Sequence, residues 1–193
     1  MKKLMVAILL LGSWLYGSKH KLEIIKPEYD VAKYILQHPT EYNIRYLKTI
    51  IKYGRKYNMV YTLMSIAIHE SRLGKYLVNN HGDYCFMHIN ARWYLYNHGI
   101  TPTYYKKLKL GSDLLRDDNM CVMAAIENLL QWKEIYNNNW RKIWGSYNGG
   151  NTPNYHYSNY IYSIQTAIGW FEWQYHCKFK DYSCLKVMKT FLK

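Results

Sequence analysis

The stretch from Val60 to Gly74 constrains this chain more than any other. Val60, Leu63, Met64, Ala67 and Ile68 recur at the spacing that places side chains on one helical face. Gly74 supplies a stop signal just beyond Leu73. A helix with such a stripe must lie against other helices to bury it. Glu70 follows Ala67 by three residues and Ile68 by two, so it falls at the edge of the stripe. It also falls near the helix C-terminus, the negative end of the dipole, where a carboxylate is disfavoured. Partial burial acts in the same direction. Both favour the protonated carboxyl that a general acid needs. The plainer alternative is an exposed Glu70 paired with Arg72 or a nearby Lys.

Similar patterns recur on both sides. Thr40 can cap a helix running to about Tyr57, with Ile44, Leu47, Ile51 and Gly54 on one face. A helix is expected over about Met120 to Tyr136, with Val122, Ala125, Ile126, Leu129 and Leu130 inward, and a shorter one over Trp140 to Ser146. Another is expected from about Ser158 to Phe171, aligned on Ile161, Ile164 and Ile168. Residues 75–118 show little sustained period and are punctuated by Gly82, Gly99, Pro102 and Gly111. Within them the alternation Cys85, Met87, Ile89 reads as a strand or an extended loop. The expectation is a mainly α single domain over 40–172. An irregular lead-in at 18–39 precedes it and a Cys-containing tail at 173–193 follows.

The N-terminus reads as an export signal. Lys2 and Lys3 precede the apolar run Leu4 to Leu11, and Gly12, Ser13, Gly17 and Ser18 are small residues near a cleavage point. Residues 1–17 are expected to be removed, leaving no membrane anchor; the alternative is an uncleaved one. The formal charge is +13, of which Lys2 and Lys3 supply two. An exported chain this basic is drawn to anionic polymers or surfaces, and cell-wall material fits better than nucleic acid. A solvated, evenly charged surface is the bland alternative. Four cysteines, Cys85, Cys121, Cys177 and Cys184, suggest two disulfides with three pairings open. No CxxC pair occurs, which makes a structural zinc site a weak alternative; no metal and no cofactor are expected. The 22 Tyr and 7 Trp suit a wet, grooved surface, although most can serve as core filler. A membrane-active protein would need a long amphipathic cationic helix, and no segment combines those faces.

Four ordered segments carry a resemblance: Glu70 to Gly74, Gly82 to Asn90, Trp144 to Gly150, and Tyr160 to Ile164. The set resembles the lytic transglycosylases of the soluble-lytic-transglycosylase type. That family has a Glu-Ser at a helix end, a Gly-x-Met-Gln-Ile-Asn-like segment, an Ala-Tyr-Asn-x-Gly motif and a later Tyr-bearing helix. The resemblance covers about residues 40 to 170. It implies a lysozyme-like domain, with an irregular or short-β active-site segment and a groove for peptidoglycan. It implies Glu70 as the catalytic acid and base. Cleavage would then leave a 1,6-anhydro end on N-acetylmuramic acid. Ser71, Met87, His88, Tyr147, Asn148 and Tyr160 are implied to bind substrate or orient Glu70. Ser71 has a helix-end cap as its alternative, Asn148 a turn residue and Tyr160 a core aromatic. If the Tyr160 hydroxyl does not reach Glu70, Tyr157 and Tyr162 are next on that helix.

The chain also departs from the family. His88 stands where the family has Gln, which puts substrate contacts at that position in question, and Cys85 stands where it has Gly. Cys121 falls near the start of the helix that packs against the second motif in the family. That placement implies Cys85–Cys121, which leaves Cys177–Cys184 to close a small loop in the tail. The implied protein is an exported, periplasmic or envelope enzyme that works as a monomer, with an envelope machine as a candidate partner. Two other functions keep the fold: a hydrolytic muramidase, for which only Asp83 is a candidate second acid, and a non-catalytic glycan-binding accessory.

Overall fold

The computed structural model describes residues 22–192. The export signal expected at 1–17 lies outside the described residues. The described part is mainly α, with nine helices and one two-stranded sheet. In order these are α1 (Lys26–Gln37), α2 (Glu41–Tyr57), α3 (Val60–Ser71), β1 (Asp83–Tyr84), β2 (Ile89–Asn90), α4 (Ala91–Asn97), α5 (Tyr104–Arg116), α6 (Asp118–Ile135), α7 (Trp140–Gly149), α8 (Tyr155–Gln174) and α9 (Ser183–Thr190).

α3 is the centre of the molecule. Nine of its 12 residues are buried, including Leu63, Met64, Ile66, Ala67 and Ile68. A helix this short is marginal in water alone. Burial against its neighbours α2, α6 and α8 holds it, each apolar side chain adding roughly 1.5–3 kcal/mol. α2 enters through a reciprocal cap: the Thr40 hydroxyl accepts from the Asn43 backbone at 3.2 Å, and the Asn43 side chain accepts from the Thr40 backbone at 2.8 Å. Asn43 also donates 2.7 Å to the Leu73 carbonyl, which ties that cap to the far end of α3.

Two stretches expected to be irregular contain helices. Residues 18–39 contain α1, with Pro27 in its first turn and Ala32 and Leu36, four residues apart, packed on α8. Two buried positions in 12 residues make a faint stripe. The middle segment holds α4 and α5 besides the hairpin, each capped by a side chain, Asn90 at 3.1 Å and Thr103 at 3.3 Å. They bury only Ala91 and Leu95, and Leu110, Gly111 and Leu114. The exposed Trp93, Tyr96, Tyr104 and Tyr105 mask the period. Disulfides join Cys85 to Cys121 and Cys177 to Cys184.

Candidate active site

The end of α3 makes a sharp reversal. Arg72 and Leu73 both adopt left-handed backbone, at φ 53° and 56°, and Gly74 follows at 93°. A Cβ on Gly74 would lie 2.1 Å from the Tyr46 ring, so only glycine fits beneath that ring. Ser71 secures the reversal. Its hydroxyl accepts 2.8 Å from the Gly74 backbone and lies 2.8 Å from the Phe86 carbonyl and 3.0 Å from that of Ala67, to which it donates. Phe86 sits in the turn between β1 and β2, so one buried hydroxyl joins the helix end to the hairpin. Ser71 is fully buried. Its hydrogen bonds run to backbone groups at the helix end and in the hairpin turn, as a helix-end cap requires.

The hairpin pairs Asp83 with Asn90 and Tyr84 with Ile89. Its turn runs through Cys85 and His88, both left-handed at φ 62° and 50°, and closes with the His88 N–H on the Cys85 carbonyl at 3.1 Å. Asp83 holds the base of the hairpin: its two carboxylate oxygens accept from the Asn79 and Asn90 amides at 2.7 Å each. The turn aims His88 at Glu70 and sends Met87 into the core. The Met87 side chain has no exposed surface; its carbonyl accepts from Tyr147 at 2.8 Å.

Glu70 therefore lies between two partners on opposite sides of its carboxyl. The Tyr157 hydroxyl donates to Oε1 at 2.6 Å. His88 Nδ1 lies 3.2 Å from Oε2. The Glu70 side chain retains 15% of its exposure, and the His88 side chain 8%. Burial, followed by the charge of Glu70, holds the Tyr157 phenol well above its ordinary range; Tyr147 is raised by burial, Glu70 and Asp83. Both phenols stay neutral donors. Burial pulls His88 down, but the hydrogen bonds to Glu70 and Tyr76 and the charges of Glu70 and Asp83 outweigh it and raise it above the usual imidazole value.

The expected Tyr160 contact is corrected by one helical turn. Its ring stacks on His69, with centroids 4.9 Å apart. Tyr157, three residues earlier, takes the place at Glu70. The cause is the start of α8: the Asn154 side chain caps it by accepting from the Tyr157 backbone at 3.2 Å, so Tyr157 lies within the first turn. Asn148 is exposed in the last turn of α7 and accepts from the Asn154 amide at 3.1 Å. Tyr147 and Tyr157 lie side by side, centroids 6.5 Å apart, as an aromatic wall beside the carboxyl.

One cluster here has no trace in the sequence motifs. Glu28 of α1 takes two hydrogen bonds from the Arg72 guanidinium, at 2.9 and 3.2 Å, and meets His69 at 3.2 Å. Burial pushes the Glu28 carboxyl up, but the His69 and Arg72 hydrogen bonds and charges bring it down to about 2. This clamp fixes the residues on either side of Glu70. Because the folded value lies below the ordinary 4.5, its contribution is complete above pH 4.5 and is lost as pH falls toward 2. Glu28→Gln is expected to cost about 3 kcal/mol near pH 7. That gap should close as acid is added. Urea unfolding at pH 7 and pH 3 checks this; an equal cost at both would refute the clamp.

Other sites are accounted for more simply. A cavity of about 300 Å³ is lined by Glu172, His176, Lys178 and Asp181. It lies by the opposite end of α3, where Tyr61 donates 3.0 Å to the buried Glu172 carboxylate. Among the described residues no group of three His, Cys, Asp or Glu side chains could hold a metal ion. No helix among them is long and apolar enough to cross a membrane.

A mainly α domain that presents a largely buried carboxyl at a helix end, beside a short hairpin, has the form of a lysozyme-like domain. The profile of the transglycosylase SLT domain matches residues 48–167, well over half of the chain, and the chain belongs to that family. No curated protein and no solved structure matches it.

Proposed function

We propose that this protein is an exported peptidoglycan lytic transglycosylase that cuts the bond between N-acetylmuramic acid and N-acetylglucosamine, with Glu70 as acid and then base. The observation that carries this reading is the Glu70 carboxyl, held by a neutral phenol on one oxygen and an imidazole on the other. In the first step the carboxyl gives its proton to the glycosidic oxygen as the bond to the anomeric carbon breaks. In the second it takes the proton of the muramic acid 6-hydroxyl while that oxygen bonds the same carbon. The proton count on Glu70 is restored and no water is consumed. One carboxylate suffices, unlike the paired carboxylates of most glycoside hydrolases.

Asp83 is the only carboxylate beside the site named by the motifs, and its oxygens are engaged by Asn79 and Asn90. That supports intramolecular attack over a water activated by a second acid. Tyr147 and Asn148 are proposed to line the groove, Asn148 offering both donor and acceptor to an N-acetyl group. The two disulfides fit an oxidising compartment outside the cytoplasm. Mass analysis of muropeptides from digested sacculi tests the reaction: each new end should be one water lighter than a hydrolysed end. Hydrolysed ends would make the protein a muramidase, and no new ends would leave it a binding accessory.

The Tyr157 hydroxyl fixes the carboxyl rotamer without adding charge. Tyr157→Phe is therefore expected to lower kcat roughly 10- to 100-fold, the loss of one hydrogen bond to a charged group. The melting temperature should move little, because the ring stays packed. Unchanged turnover would show that the bond does not orient Glu70.

A further inference from the structure

His88 is the one departure from the family pattern that touches Glu70, and its second nitrogen fixes what it can do there. Nε2 lies 3.0 Å from the Tyr76 backbone carbonyl. A carbonyl only accepts, so Nε2 carries a hydrogen. Nδ1, 3.2 Å from Glu70 Oε2, is then the atom free to gain or lose a proton. With neutral imidazole, Nδ1 is bare and accepts from a protonated Glu70. With imidazolium, Nδ1 donates to the Glu70 carboxylate. Both arrangements use the same hydrogen bond and hold the same number of protons; they differ only in which side carries the shared one.

We propose that Glu70 and His88 share one proton across this bond, so that His88 stores the proton that Glu70 delivers. This rests on Glu70 as the acid and base. The proton moves from Nδ1 to Oε2 and on to the glycosidic oxygen; the proton taken from the 6-hydroxyl returns to Oε2 and then to Nδ1. His88 ends as it began. It meets no substrate in this scheme and is a positioning residue that acts through Glu70.

The charged groups acting on His88 are Glu70 from α3 and Asp83 from β1. Tyr147 from α7 and Tyr157 from α8 flank the pair as neutral phenols. Both charges favour imidazolium, and burial alone opposes it. A carboxyl with no such partner surrenders its proton below neutrality. The pair keeps one proton until the pH passes the His88 midpoint.

Two measurements test this, one of them independent of activity. The first follows the His88 ring nitrogens by NMR in a pH titration. The neutral ring should carry its hydrogen on Nε2. The His88 midpoint should fall by about one pH unit or more in Glu70→Gln, which removes the facing carboxylate. An Nδ1–H tautomer, or a midpoint that ignores Glu70→Gln, overturns the sharing even if the enzyme is fully active. The same titration supports the sharing even if no glycan is cut, in which case only the proposed function falls.

The second compares pH profiles of kcat/KM on sacculi for wild type, His88→Gln and His88→Asn. Asn tolerates the left-handed backbone at this position and guards against a folding defect. The descending alkaline limb should move about one pH unit or more toward acid in both variants. Profiles of unchanged shape, even if uniformly lower, would reduce His88 to a structural contact and overturn the proposal.

Discussion

Glu70→Gln is expected to leave the fold intact and to lower glycan cleavage by about 100- to 10,000-fold. The amide is isosteric with the carboxyl. Its oxygen can still accept from Tyr157, now at 2.6 Å, and its NH2 can donate to a bare His88 Nδ1, now at 3.2 Å. Both contacts therefore survive, and neither a cavity nor an unpaired buried group is created. What is lost is chemical: an amide has no proton to give at these pH values and is too weak a base to take one. Turnover of purified sacculi, with the melting temperature as a folding control, decides the matter. A folded variant that cuts sacculi at near wild-type rate would remove Glu70 from the mechanism. The proton relay through His88 would fall with it.

The strongest elements were legible because their signals were local. The stripe of α3 and the stop at Gly74 located the helix end. The start of α2 was legible in Thr40, whose cap closes within three residues. The alternation Cys85, Met87, Ile89 pointed to an extended segment, and the structure divides it between a tight turn and β2. The middle segment was less legible because α4 and α5 keep their large aromatics outside, which erases the period that marks a helix.

The structure brings Glu70 and His88, both named from the motifs, together at one carboxyl, and places a different phenol there from the one expected. Aligning α8 on Ile161, Ile164 and Ile168 placed its start at Ser158, which left Tyr157 outside the helix. Asn154 was the available signal, since an Asn three residues before an aromatic can cap a first turn. The clamp of Glu28 on His69 and Arg72 had no such signal. Glu28 and Arg72 are separated by 44 positions, and α1 lies before the residues that the motifs cover. Ser71 could be read either way from its position. Its complete burial and its bond to the Phe86 carbonyl support the cap, information that only the packed structure holds.

Removing the Cys85–Cys121 disulfide is expected to cost about 4 kcal/mol, against about 2 kcal/mol for Cys177–Cys184. The difference follows from the loops closed, 36 positions against 7, since a longer loop has more freedom to recover when the chain unfolds. The first bridge also has a local task. A hairpin of two paired residues per strand is marginal on its own. Cys85 opens the turn that carries His88, and the bond anchors that turn to the first turns of α6. Without it, the turn is held mainly by Ser71 on Phe86 and by Tyr147 on Met87. Cys85→Ala with Cys121→Ala should therefore lower both stability and kcat. Cys177→Ala with Cys184→Ala should lower stability alone, because that loop packs at the opposite end of α3, where Phe179 donates to Glu172. Urea unfolding and sacculus turnover on the two double variants separate these effects. Equal losses of stability would contradict the loop-length argument, and unchanged kcat in the first variant would show that the hairpin keeps His88 in place without its bridge.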